Sequence, residues 1–101
     1  MAIVDVSEYT SLALDGRNQV VQTGAEPALA YQQVAIAAGS TQSTAFGTAT
    51  RVVRIHTDAI VRILFGVNPT AAAGTSMRLA AGSTEYFGVI PGQKVATITS
   101  T

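Results

Sequence analysis

The feature that most constrains the fold is a tract of alternating apolar and polar residues in the second half of the chain, at residues 51–98. In this tract, short runs rich in Val, Ile and aromatic residues are separated by Pro, Gly and small polar residues. Alternation with a period of two, interrupted by turn residues, is typical of consecutive β-strands. The tract therefore predicts an all-β fold, and no segment of the chain requires a helix.

The alternation places five strands in and just before this tract. In the first of them, Val53 and Ile55 fall on one face and Arg54 and His56 on the other, so Val53 and Ile55 are predicted core residues. In the second strand both faces are largely apolar, which is typical of a strand covered on both sides. The predicted strands are residues 50–57, 59–65, 76–80, 84–90 and 94–99.

The link between the last two strands contains Pro91 and Gly92. Pro presets φ for the second position of a turn and Gly accepts a positive φ at the third, so the pair predicts a type II turn. Tight two-residue hairpins need a positive φ at the second position, which Pro cannot adopt. We therefore expect a wider hairpin or a crossing from one sheet to the other.

The first half of the chain has weaker strand signals. Residues 1–28 are predicted to form an N-terminal arm or edge strands, with a turn at residues 15–18. Residues 29–38 are interpreted as a strand because they alternate, and residues 29–101 as the sandwich core of a single domain. About 7–8 short strands at intervals of roughly ten residues favour a jelly-roll-like β-sandwich.

The composition indicates a surface that is poor in charge. Charged residues make up 12% of the chain, against about 25% in ordinary globular proteins. Either Thr, Ser and Gln cover the surface, or other subunits do, and we favour a homo-oligomer, with dimer and trimer both open. The candidate interaction surface is the outer apolar face formed by Val52, Ile60 and Leu64.

Several classes of function lack the residues that they need. The net charge is zero and the six basic residues are scattered, so we expect no nucleic-acid binding. There is no cysteine and only one histidine, so we expect no metal and no cofactor. No apolar run approaches the length of about 18 residues that a membrane helix needs, and the N-terminus is unlike a signal peptide.

The one constellation that suggests chemistry surrounds the single histidine. Arg54 and Asp58 lie two residues before and after His56, so all three share a face if the strand continues. They are either a ligand-binding or proton-transfer trio, or an exposed strand face with a local charge pair. We favour the second interpretation, because catalysis also needs a nucleophile or metal and a pocket. The protein is predicted not to be an enzyme.

Two motifs of turn and core residues lie in the same tract: FG-x-NP-x-A at residues 65–71, and L-x-AG-x-x-E-x-F-x-V-x-PG-x-K-[IV]-A at residues 79–96. With them the C-terminal half resembles small virion structural proteins of tailed bacteriophages. The resemblance implies a virion component, such as a β-sandwich cement or decoration protein, or a part of the head–tail junction or tail. The matching residues are Phe65, Gly66, Asn68, Pro69, Ala71, Leu79, Ala81, Gly82, Glu85, Phe87, Val89, Pro91, Gly92, Lys94, Val95 and Ala96.

The sequence is compatible with three functions. The first is a capsid decoration or cement protein that binds the major capsid protein on the capsid surface, after assembly in the host cytoplasm. The second is a head–tail connector or tail component. The third belongs to a different class: a small ligand-binding or carbohydrate-binding β-module, with His56, Arg54 and Asp58 in its site.

Overall fold

The computed structural model describes residues 2–100 and confirms the all-β prediction, with ten strands and no helix in that range. The two terminal residues lie outside the described range. The strands are β1 (Ile3–Tyr9), β2 (Leu12–Leu14), β3 (Val20–Gly24), β4 (Ala30–Ala35), β5 (Thr41–Gln42), β6 (Val52–Thr57), β7 (Val61–Gly66), β8 (Met77–Leu79), β9 (Thr84–Gly88) and β10 (Lys94–Thr99).

Eight of the strands form two antiparallel sheets that share one core. The first sheet has the order β4-β1-β6-β9, and the second has the order β5-β10-β7-β8. The remaining two strands, β2 and β3, pair only with each other and form a hairpin. Buried Val, Ile and Leu side chains from both sheets belong to a single hydrophobic cluster. The molecule is therefore a β-sandwich.

The alternation predicted for residues 50–57 is confirmed. In β6, Val53 and Ile55 are fully buried, while Val52 and Arg54 on the opposite face are only half-buried. This alternation follows from the period of two in a strand that has one face on the core.

An aromatic group closes the core at one end of the sandwich. The rings of Phe65 and Phe87, which come from different sheets, are 5.2 Å apart between centroids, and Phe46 lies 6.3 Å from Phe65. Tilted ring pairs at these distances are favourable. The three rings therefore bridge the two sheets.

The N-terminal segment differs from the arm or edge strands predicted for it. β1 lies inside the first sheet, paired with β4 on one side and β6 on the other. Its Val4 and Val6 are 0% and 1% exposed. The central position of β1 was not predicted because the polar residues Ser7 and Glu8 end the apolar run early. In the structure both of these side chains are buried.

The order of strands along the chain does not confirm the predicted jelly roll as it stands. A jelly roll has eight strands in two sheets, and its last strand is central. Here the first strand, β1, holds that central position. The eight sandwich strands can be renumbered so that β4 to β10 become strands 1 to 7 and β1 becomes strand 8. The first sheet then has the order 1-8-3-6 and the second has the order 2-7-4-5. These are the strand neighbours of a jelly roll that has been opened at a different connection.

The two ends of the described chain lie side by side, as that opening requires. The Ile36 amide donates to the Ala2 carbonyl at 3.0 Å, and the Thr99 amide donates to the Ala37 carbonyl at 2.9 Å. Both ends therefore contact the short connection that follows β4.

The turn predicted at Pro91 and Gly92 is present. Gly92 has a φ of 85°, and the Gln93 amide donates to the Ile90 carbonyl at 3.2 Å. The turn links β9 in the first sheet to β10 in the second. It is therefore a crossing between sheets, one of the two expected outcomes.

Candidate functional site: a polar groove and an apolar end

The outer face of the first sheet carries two rows of polar and aromatic side chains. Residues paired across antiparallel strands point to the same face, so the strand pairing determines which side chains are neighbours. The first row is Gln33, Asp5, His56 and Thr84, and the second is Tyr31, Ser7, Arg54 and Tyr86.

A shallow groove of about 580 Å³ runs over this face. We call it the polar groove, and its side chains come from three adjacent strands, β4, β1 and β6. Ser7, on the central strand, is only 6% exposed, whereas Tyr31, on the edge strand, is 69% exposed. The lining side chains of the outer face are Asp5, Ser7, Tyr31, Gln33 and Arg54.

The polar groove contains opposite charges that do not pair with each other. Within residues 2–100, Asp5, Gln33 and Arg54 make no side-chain hydrogen bond or ion pair. Asp5 and Arg54 are half-buried, and Gln33 is exposed. A carboxylate accepts, a guanidinium donates and an amide does both. The groove therefore offers donors and acceptors that are free to bind a ligand.

The predicted trio is only partly assembled. Arg54 and His56 lie on the outer face, where His56 Nδ1 is 2.8 Å from Thr84 Oγ1. Asp58 lies beyond the end of β6, and its carboxylate accepts a hydrogen bond from the Ile3 amide at 2.9 Å. Asp58 thus connects to the start of β1. The side chain in the same row as His56 on the neighbouring strand is Asp5.

The β2–β3 hairpin covers one end of the outer face. Gly24 lies flat against the ring of Tyr9, because an added Cβ would come within 2.5 Å of that ring. The Tyr9 hydroxyl donates to the Glu26 carboxylate at 2.9 Å. Burial and then this hydrogen bond raise the pKa of Tyr9 to about 12. A second cavity, of about 230 Å³, lies between the hairpin and β9.

Three large apolar side chains leave the sheets at one end of the sandwich, which we call the apolar end. They are Leu29, Val67 and Ile90, which are 52%, 73% and 62% exposed. Leu29 directly precedes β4, and Val67 follows β7. Pairing of Lys94 with Gly66 places the start of β10 at this same end. Two further apolar side chains on the hairpin, Leu14 and Val20, are exposed as well.

The interaction surface predicted from the sequence is not a single surface in the structure. Val52 lies on the outer face of the first sheet, next to the hairpin cavity. Leu64, which is 42% exposed, lies on the outer face of the second sheet. Ile60 precedes the second sheet's β7 and is half-buried. The two sheets separate Val52 from Leu64, so the three residues do not come together.

Sequence reasoning missed the polar groove as a unit. Asp5, Ser7 and Gln33 are ordinary polar residues in segments with weak strand signals, and only the pairing of β1 with β4 and β6 brings them beside Arg54. The one available signal was Tyr31, an aromatic residue at a polar position of an alternating segment.

No three metal-ligating side chains come together between residues 2 and 100. In the same range no helix has the length and apolar character needed to cross a membrane. Comparisons with protein families, with curated proteins and with solved structures found no match to this chain.

Proposed function

We propose that this protein is a structural component of a tailed-bacteriophage virion, and specifically a decoration or cement protein that binds and stabilises the head. The two motifs at residues 65–71 and 79–96, which resemble those of small virion proteins, support the proposal. The β-sandwich fold is compatible with a structural role. The proposed partner is the major capsid protein.

The observation that carries the proposal is the apolar end. Exposed apolar groups that gather in one region of a soluble protein mark surfaces that bind other proteins. Burying one such side chain contributes about 1.5–3 kcal/mol, so Leu29, Val67 and Ile90 together would supply much of a contact with the shell. The ends of the described chain lie at the opposite end of the sandwich, where β1 begins and β10 finishes.

Co-sedimentation with heads that lack the protein tests this orientation. The wild-type protein is expected to pellet with the heads, and the double variant Val67→Asp with Ile90→Asp to remain in the supernatant. Leu64→Gln is the matched control, because Leu64 is also exposed but lies on the outer face of the second sheet. Loss of binding only in the Leu64 variant would assign the contact to that face. Failure of the wild-type protein to bind heads would contradict the cement role.

The position of the protein in intact particles separates decoration from the second candidate. A decoration protein is expected at symmetry-related sites over the whole shell in a cryo-electron microscopy map. Density confined to one vertex would identify a head–tail connector, and density along the tail would identify a tail component.

The proposed homo-oligomer requires its own measurement. Sedimentation velocity at increasing protein concentration is expected to give a dimer or a trimer. A single monomeric species at the highest concentration would show that this protein reaches the shell as separate copies.

A further inference from the structure

We propose that the polar groove binds a neutral oligosaccharide. The site lies on the outer face of the first sheet, and its assignment does not depend on the virion role. It rests on three observations: unpaired donors and acceptors, an exposed aromatic ring beside them, and a balance of charge.

The hydrogen-bonding groups of the groove match those of sugar hydroxyls. Each hydroxyl both donates and accepts, so a sugar site needs donors and acceptors side by side. Asp5 supplies acceptors, Arg54 supplies donors, and Gln33 supplies both. None of these three side chains has a partner within residues 2–100. Ser7, 6% exposed, lies at the floor of the groove. These side chains can form hydrogen bonds with several hydroxyls of one sugar ring at the same time.

Tyr31 provides the apolar part of a sugar site. Its side chain is 69% exposed and stands on the edge strand β4, beside the groove. An aromatic ring with one polar tip is suited to ligands that have an apolar face and polar, hydrated edges. The C–H face of a pyranose ring has this character. Burial under a sugar would therefore remove the ring from water without leaving its hydroxyl unpaired.

Charge and shape disfavour the other occupants of such a groove. A phosphate or sulfate chain would meet the Asp5 carboxylate as well as the Arg54 guanidinium, and the chain has no net charge to attract it. A bound peptide strand would pair with the free edge of β4 and use apolar pockets for its side chains. The floor of this groove instead carries Ser7 and Asp5. The groove is shallow and extends across three strands, so it can accommodate an extended ligand of several sugar units.

A printed array of neutral and acidic oligosaccharides, followed by titration of the strongest neutral hit, tests the assignment. We expect at least one neutral oligosaccharide to bind and to shift the amide NMR signals of β1, β4 and β6. Tyr31→Ala and Arg54→Ala are each expected to weaken binding by about tenfold or more, which corresponds to about 1.4 kcal/mol. Tyr31→Phe keeps the ring and should retain most of the affinity. Arg78→Ala, an exposed arginine on the second sheet, is the control and should bind as wild type.

Three outcomes would overturn the assignment. Binding of acidic but not neutral oligosaccharides would define an anion site. No binding to any member of the array would remove the sugar site altogether. Equal losses in the Arg54 and Arg78 variants would place the ligand elsewhere. The result is separable from the proposed virion role, because the Tyr31 and Arg54 variants keep the apolar end and should still co-sediment with heads.

Discussion

Glu8 is the only charged side chain among the buried residues of the described range, at 4% exposed. Its carboxylate accepts hydrogen bonds from Thr50 Oγ1 at 2.8 Å, the Gly47 amide at 2.9 Å and Gln32 Nε2 at 3.2 Å. A buried charge is tolerated when it is hydrogen-bonded in this way. Through these hydrogen bonds, Glu8 connects the central strand β1 to the segment that precedes β6.

Replacing Glu8 with Ala is expected to lower the free energy of unfolding by about 2–4 kcal/mol, because the loss leaves the buried Thr50 hydroxyl and Gly47 amide without an acceptor. Asp5→Ala is the matched control on the same strand, since Asp5 faces the groove and makes no side-chain hydrogen bond within residues 2–100. It should change the free energy by less than about 0.5 kcal/mol. Urea titration measures both, and equal effects would show that the Glu8 network does not stabilise the fold.

Single residues also mark the limit of what the sequence could predict. Val53 and Ile55 were identified as core residues because alternation alone determines their face. Glu8 could not be, because a carboxylate at an inward position resembles a surface residue until its partners, Gln32, Gly47 and Thr50, are known. Those partners are between 24 and 42 residues away in sequence.

Among the elements, the β2–β3 hairpin depends on one close contact. Gly24→Ala is expected to lift the hairpin off Tyr9, because the new methyl group would meet the ring at 2.5 Å. Overpacking of this kind costs about 1–3 kcal/mol. Gly16→Ala in the same hairpin is the control, since nothing lies within 4 Å of its added Cβ. Hydrogen exchange of the hairpin amides should increase only in the Gly24 variant, and unchanged exchange there would contradict the contact.

The same hairpin is expected to loosen at high pH. Because the pKa of Tyr9 is raised from 10.0 to about 12 in the folded protein, the unfolded chain loses this proton first as the pH rises. The stabilisation is therefore fully present below pH 10.0 and is lost as the pH rises towards about 12.

Unfolding free energies of wild type and Tyr9→Phe, compared between pH 9 and pH 11, measure this effect, and the difference between the two proteins should shrink across that interval. The component near pH 12 in the absorbance titration of tyrosine should disappear in the variant. A difference that stays constant with pH would show that Tyr9 titrates normally.

Elements with strong local sequence patterns were predicted correctly, whereas elements whose position depends on distant strands were not. Strong alternation in β6 and turn chemistry at Gly92 were interpreted correctly, and the turn at residues 15–18 is present with Asn18 at a φ of 60°. The position of β1 within its sheet could not be predicted, since it depends on pairings with β4 and β6. The polar groove was missed for the same reason, because it exists only once three strands are aligned.

At the scale of the whole molecule, the two ends of the described chain lie side by side. We therefore expect the protein to tolerate circular permutation, in which these ends are joined and new ends are made in another loop. A short glycine linker between the two ends, with a new opening between Gly16 and Arg17, would give the eight sandwich strands the conventional jelly-roll order. Residues around this opening are exposed, and such sites tolerate new ends.

We expect the closed and reopened chain to fold with a free energy of unfolding within about 2 kcal/mol of wild type. The control is an opening between Arg54 and Ile55, which divides an inner strand of the first sheet and should abolish folding. Dispersed amide NMR spectra distinguish the two. An unfolded protein in the first case would show that the existing ends are required.

The central positions of β1 and β10 have a consequence for how the protein is made. Among the described strands β1 is made first and β10 last, and each lies in the interior of a sheet. β1 must wait for β6, about half the chain later, and the second sheet has no link between β5 and β7 until β10 emerges. Synthesis at about 5–20 residues per second thus leaves strand edges unpaired until β10 has emerged. The sandwich should therefore complete its pairing in one cooperative step, once β10 is available.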